Sequence, residues 1–183
     1  MKYDVQTIRE QFRQGARMSF ILFWGHQRKG PGIDASCFSQ WYPSPFSEDG
    51  VTYATAEQYM MAHKAMLFGD DETRAQIMAS PDPSVCKKLG RLVGDFSSQV
   101  WDAHKRDIVV QASKLKFSQH QGMRTFLLNT RSAVLVEASP YDRIWGIGLA
   151  QEDASSRNPL SWRGENLLGF ALMEARDALR EGI

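Results

Sequence analysis

The sequence predicts a single α+β domain, dominated by helices and holding a few short β-strands. Three observations lead there. The chain has 183 residues, 43% apolar and 23% charged, which is enough for one buried core and close to ordinary globular usage. Stretches with helical apolar spacing and recognisable caps fill most of the middle and the end of the chain. Runs that read as strands are few, and they do not alternate with helices as a doubly wound sheet requires. No internal repeat or low-complexity segment is present.

The elements follow in chain order. Residues 4–14 read as an amphipathic helix: Asp4 caps it, Val5, Ile8 and Phe12 share a face, and Gly15 ends it. Residues 19–25 are a compact apolar run with aromatics and read as a strand. Gly30, Pro31 and Gly32 make 26–36 a loop. Pro43, Pro45 and the pair Asp49-Gly50, followed by Val51-Thr52-Tyr53, suit a hairpin or a bent strand pair. Thr55 and Gln58 have capping-box spacing, so a helix is expected from Ala56 to about Phe68, stopped by Gly69. Further helices are expected over 70–79, 83–91, 99–119 and 123–130. Residues 133–137 are rich in branched side chains and read as a strand. Residues 138–165 are mostly loop. A last amphipathic helix over 167–180 turns Leu168, Ala171, Leu172, Ala175 and Leu179 inward.

Charge and cysteine content narrow the function classes. There are 22 Lys plus Arg against 21 Asp plus Glu, a net of +1, so a strongly cationic nucleic-acid coat is absent. The charge is uneven. Residues 85–131 carry nine cations and three acids, a local +6, leaving −5 elsewhere. That suits a phosphate-bearing ligand or a short nucleic-acid contact, and equally a solvated face of two helices. Two cysteines, Cys37 and Cys86, are too few for a disulfide scaffold and fit buried small hydrophobes. The N-terminal residues lack the apolar core of a signal peptide, and no apolar run reaches membrane-span length. A soluble, cytoplasmic protein is expected.

Several chemistries lack their signatures. The sequence contains no GxGxxG or GxxxxGK[ST] loop and no GxSxG elbow. The histidines His26, His63, His104 and His120 never pair at i+3 or i+4, and HExxH and CxxC are missing, so neither a metal nor a cofactor is expected.

Four stretches could carry chemistry. On the helix after Thr55, Glu57 and Lys64 lie seven residues apart, about 10 Å along one stripe, with Met60 and Met61 between them. A carboxylate and an amine set among methionines suit a cleft wall that desolvates both. A helix edge where both charges reach water fits the same spacing. The loop around Asp142, Trp145, Gly146 and Gly148 joins an acid and an indole. The indole can stack on a ring, or Trp145 can plug the core while Asp142 makes a turn. Asn166 opens the last helix, whose N-terminal N–H groups suit a phosphate, and it also reads as the N-cap. Phe38, Trp41 and Tyr42 can line a ring-binding slot or simply pack.

Taken in order, these stretches resemble the NADAR, or YbiA-like, family. The matching elements are Phe23-Trp24-Gly25, Cys37-Phe38-Ser39-Gln40-Trp41, Thr55-Ala56-Glu57-Gln58-Tyr59-Met60-Met61 with Lys64, and Leu89-Gly90-Arg91. They continue through Trp101 to Lys116-Phe117, then Leu127-Leu128-Asn129-Thr130 and Leu135-Val136-Glu137. The last are Asp142-Arg143-Ile144-Trp145-Gly146-Ile147-Gly148 and Asn166-Leu167-Leu168-Gly169 with Leu172-Met173. The resemblance spans about residues 20–180. Gln58 departs from the His found in many members.

The resemblance implies a YbiA-like fold and an N-glycosidase acting on ribosyl N-glycosides. Its two associated substrates are phosphorylated ribosylamino-pyrimidine intermediates of riboflavin synthesis and ADP-ribosylated guanine in DNA or RNA. It places Glu57, Lys64, Asp142 and Trp145 at the site. Glu57 is then the general acid/base, and Lys64 an amine able to attack an opened ribose aldehyde and form an imine. Asp142 would hold ribose hydroxyls or guide the proton. Trp145, with Phe38 or Trp41, would stack on the base, and Gly146 would line the same loop. Arg91 and Asn166 are the phosphate anchors in this reading. A non-catalytic ADP-ribose-binding module is the alternative from another class.

Overall fold

The computed structural model describes residues 2–28 and 30–182. It contains, among these residues, seven α-helices and four short strands in an α+β arrangement. The chain divides into two compact units: Met1–Ser39 with Gly122–Ile183, and Gln40–Gln121.

The first unit is built on a parallel strand pair. β1 (Phe20–Phe23) runs beside β4 (Val134–Glu137), with Phe20 opposite Val134 and Phe23 opposite Glu137. β1 is shorter than the 19–25 expectation, because pairing ends opposite Glu137 and Gly25 turns the chain at φ +77°. Helix α7 (Leu167–Glu181) packs on β4 and buries an almost continuous row from Leu167 to Met173. Helix α1 (Val5–Arg13) is capped by Asp4, as its sequence predicts, and Arg9 ties it to the carbonyls of Pro159 and Trp162. Pro159–Ser161 is a 3₁₀ turn inside the long loop, and Ala35–Phe38 is another. Helix α6 (Gln121–Asn129) belongs to this unit except for its first residue. Arg176 of α7 is buried and donates to the Thr130 hydroxyl and the Ala133 carbonyl at 2.8 Å each, so the charge is solvated by protein oxygens.

The second unit is helical around α2 (Ala56–Leu67). Antiparallel β2 (Phe46–Glu48) and β3 (Val51–Tyr53) precede it, joined by Asp49-Gly50. Both turn residues have positive φ, 49° and 80°, as a tight hairpin of matching twist requires. Helices α3 (Asp71–Met78), α4 (Pro83–Gly90) and α5 (Ser98–Gln119) pack against α2 or one another. Their N-caps are Asp70, Asp82 and Ser97. The capping box at Thr55 is half of what its spacing suggests. Thr55 accepts from the Gln58 N–H, but the Gln58 amide accepts from Ala54 and donates to carbonyls at the end of α3. This accounts for a glutamine at that position: one amide caps α2 and satisfies the end of α3.

The solvated-face reading of the basic segment fails in part. Lys105, Arg106 and Lys116 of α5 are buried, and Lys105 pairs with Asp102 at 2.6 Å. Both cysteines are free and buried, as expected.

Candidate active site

In the second unit two of the candidate residues, Glu57 and Lys64, lie on α2. Glu57 sits in its first turn and is only 3% exposed. Its backbone N–H donates to the Gln40 carbonyl at 3.0 Å. The Cys86 thiol lies near enough to feel the Glu57 charge; burial first, and that charge second, push the thiol up to about 11. Lys64, two turns on, is half-buried and donates through Nζ to the Gly90 carbonyl at 2.6 Å. The same Nζ lies 4.2 Å from the Phe96 ring centroid and 5.6 Å from that of Trp101. Burial lowers the Lys64 amine from its ordinary value. The reading of a helix edge with both charges in water is therefore overturned. Packing of α3, α4 and α5 removes water from this stripe.

Gly90 explains how the carbonyl comes so close. A side chain there would overlap Met61, so the bare backbone of α4 approaches α2. Arg91 follows at the C-cap of α4 and is exposed. Trp41 is half-buried, with Lys87 Nζ 5.8 Å from its ring centroid. Neither the Gly90 carbonyl nor the Phe96 ring was legible as a Lys64 partner, since both lie over 25 residues away in sequence.

In the first unit a braced loop follows β4. Asp142 Oδ1 accepts from the Ile144 and Trp145 N–H groups at 2.9 and 2.8 Å, and Ser139 Oγ accepts from the Asp142 N–H. The Ile147 N–H continues the strand by donating to the Glu137 carbonyl. Gly146 is pressed between the Glu137 and Asp142 carbonyls, where a Cβ would stand about 3 Å from each. Trp145 is half-buried and Asp142 partly exposed. The turn-making and functional readings of Asp142 are thus compatible: one oxygen shapes the loop, and Oδ2 is not used for that.

Two expectations need correction. Asn166 occupies the N-cap position of α7 but does not cap it. Its backbone is left-handed, φ 56°, and its amide is spent on β4, accepting from the Glu137 N–H and donating to the Leu135 carbonyl at 2.9 Å each. The first N–H groups of α7 are spent too, Leu167 on the Ile144 carbonyl and Leu168 on the Trp145 carbonyl. Asn166 is a fully buried positioning residue, and this helix start is no open phosphate cradle. Phe38, 1% exposed, packs against Phe23 and Phe126 at 5.4 Å each, so it has no open face for a base.

Another cluster in the second unit was not anticipated. Glu48 accepts from the Tyr59 hydroxyl at 2.7 Å and from Gln111 at 2.9 Å, and His63 stacks on Tyr59 with centroids 3.9 Å apart. Burial lowers His63, and burial with the Glu48 hydrogen bond raises Tyr59. Among the described residues no group of three His, Cys, Asp or Glu side chains could hold a metal ion. No helix among them is long and apolar enough to cross a membrane.

Comparison with known proteins matches the NADAR domain to residues 22–180. The chain belongs to the NADAR family. It is 43% identical over 163 residues to N-glycosidase R617 of Acanthamoeba polyphaga mimivirus, covering 86% of this chain and 95% of that one. N-glycosidase YbiA of Escherichia coli (strain K12) is 34% identical over 146 residues, 80% of this chain and 81% of that one. The NMR structure of E. coli YbiA superposes with a TM-score of 0.72 at 30% identity, covering 90% of this chain and 86% of that one. Riboflavin biosynthesis protein PYRR, chloroplastic, of Zea mays is 31% identical over 138 residues, 72% of this chain but 20% of that one. As a NADAR protein the chain is an enzyme, an N-glycosidase.

Proposed function

We propose that this NADAR enzyme hydrolyses the bond between ribose C1 and an exocyclic base nitrogen, with ADP-ribosylated guanine in nucleic acid as substrate. The observation that carries the reading is Lys64. It is an amine lowered by burial, held at Gly90 and over two aromatic rings, two turns from the buried Glu57 on one helix. The neutral form of an amine is the nucleophile, and burial favours that form; an exocyclic N-glycoside is a substrate whose sugar ring opens readily.

The steps balance without a further reagent. Ring opening leaves C1 joined to the base nitrogen as an imine. Lys64 Nζ adds to C1, and Glu57 supplies the proton with which the base amine departs. C1 is then held as an imine to Nζ. Water, deprotonated by Glu57, adds to C1, and collapse releases the ribose aldehyde and restores the amine. By the family resemblance we assign Asp142 to the ribose hydroxyls and Trp145 to the base. Arg91, exposed and planar, takes the phosphates. The reaction belongs in the cytoplasm, needing neither metal nor cofactor in this scheme.

A phosphorylated ribosylamino-pyrimidine is the second reading. The similarity to a protein named for riboflavin biosynthesis favours it. The test is a paired assay, with a guanine-ADP-ribosylated oligonucleotide in one arm and the ribosylamino-pyrimidine phosphate in the other. Release of ADP-ribose in the first arm is expected; release of ribose phosphate alone moves the enzyme to metabolite clearance. Borohydride should trap a covalent adduct on the wild type and none on Lys64→Ala. Turnover in neither arm, with measurable ADP-ribose affinity, overturns the catalytic reading in favour of a binding module.

A further inference from the structure

Trp24 and Tyr141 are large aromatics left in solvent, 53% and 86% exposed, on otherwise well-packed backbone. Leaving such rings in water forgoes burial that aromatic side chains ordinarily obtain. Their position is not accidental to the fold. Trp24 leaves β1 opposite the end of β4, and Tyr141 stands on the loop that leaves β4, so both crown the C-terminal ends of the parallel pair. The two centroids are 6.4 Å apart with the planes tilted by 50°. The loop under Tyr141 is braced by the Asp142 hydrogen bonds and by the Gly148 N–H, which donates to the Asp142 carbonyl. The ring is thus displayed on a firm support.

Two cations lie beside them, together with two acids: Asp142, between Tyr141 and Arg143 in the chain, and exposed Glu165, whose N–H donates to the Arg143 carbonyl. Arg143 is two residues from Tyr141 and exposed, and Arg163 is exposed as well. Their side chains pass the same point, Gly148, where a Cβ would stand 3.1 Å from an atom of each. Among the described residues neither guanidinium makes a hydrogen bond or an ion pair. Asp153 senses Arg163 only weakly, as the last of the influences on its own titration. Ile144, also exposed, completes the apolar part of the patch.

Open aromatic faces beside unpaired guanidinium groups are the composition of a single-strand nucleic-acid surface. We infer that Trp24 and Tyr141, with Arg143 and Arg163, form a stacking subsite for an unpaired base and its phosphates in single-stranded nucleic acid. This deepens the reading of nucleic acid as the substrate and rests on it for its biological use. Binding itself can be tested apart from turnover. Only two cations are offered and the whole chain is near neutral, so affinity is local and moderate, with a salt slope near −1.4 from about 0.7 per phosphate contact.

The test is fluorescence anisotropy with labelled, unmodified eight-nucleotide oligomers, single-stranded DNA and RNA in separate arms and the duplex as a third. The single strands should bind and the duplex should bind less well. Trp24→Ala and Tyr141→Ala should each weaken single-strand binding about tenfold, while Trp24→Phe and Tyr141→Phe retain it. Arg143→Gln with Arg163→Gln should flatten the salt slope. A preference for the DNA or the RNA arm identifies the source of the base. No binding in either arm, or binding unchanged by both alanine variants, overturns the subsite. Turnover of a modified oligonucleotide in that case leaves the proposed reaction standing without it.

Discussion

The two stretches assigned to the reaction are held in opposite ways. On α2, Glu57 and Lys64 are fixed by the regularity of the helix and buried by what packs over it, with Gly90, Phe96 and Trp101 around the Lys64 amine. In the loop after β4 the geometry is written in backbone hydrogen bonds, with Asp142 holding two N–H groups and glycines admitting carbonyls where a Cβ would not fit. Helix positions are rigid without help, so water exclusion is the variable left for chemistry. Loop positions have no intrinsic rigidity, so their side chains are spent on shape.

That contrast can be broken first on activity. Glu57→Gln should lower kcat by about 10²–10⁴-fold, the usual range for a general acid, with ligand affinity retained. Asp142→Asn should instead raise KM with the loop kept, because the amide oxygen still accepts from the Ile144 and Trp145 N–H groups while Oδ2, the oxygen left for the assigned ribose contact, becomes an N–H donor. Steady-state kinetics on both variants separate the roles; near-normal turnover by Glu57→Gln removes it from the acid role.

Stability sharpens the comparison next. Gly169→Ala in α7 would drive a Cβ against the Leu135 carbonyl and the Asn166 amide, which cannot move aside cheaply. Gly90→Ala overlaps the Met61 side chain from Sδ back to Cβ, an unbranched chain that gives more readily than backbone. Overpacking costs about 1–3 kcal/mol, so urea midpoints should place Gly169→Ala at or above that range and Gly90→Ala at its lower end. Gly90→Ala should nonetheless slow turnover, since the carbonyl that holds Lys64 shifts with it.

A smaller effect concerns pH and Lys64. The reaction proposed here needs the neutral amine, and burial holds that amine below its ordinary 10.5. Phe96→Ala admits water beside Nζ and should move the acid limb of kcat/KM to higher pH. A limb that stays in place assigns it to another group.

The smallest effect is on stability through His63. Burial lowers its folded value below 6.5, against an opposing pull from Glu48. The folded state then binds fewer protons than the unfolded chain. The stability present above about pH 6.5 is lost as pH falls through that value toward the folded one. Thermal melts at pH 7.5 and 5.5 should show the drop, and His63→Asn should reduce it.

Much of the helical frame was legible because its signals are local. Asp4 caps α1, Asp49-Gly50 makes the hairpin, and Gly69 ends the helix from Ala56, each through neighbours within a few residues. The pairing of Glu57 with Lys64 on one stripe was legible for the same reason. The roles of Phe38 and Asn166 were not. Phe38 looked like a ring-slot residue by composition, and only Phe23 and Phe126 make it core. Asn166 looked like a cap or a phosphate anchor, and only the neighbouring strand shows where its amide goes.

The sequence by itself determined the α+β class, the capped helices, the hairpin and the order of motifs that marks a NADAR enzyme. The class, the helices and the hairpin follow from backbone preferences over a few residues, whereas the family is read from a resemblance along most of the chain. Tertiary structure decided which charges lose their water, which aromatics stay in it, and which amide braces β4. Each depends on atoms brought together from distant parts of the chain, and desolvation is a property of that packing rather than of any one residue.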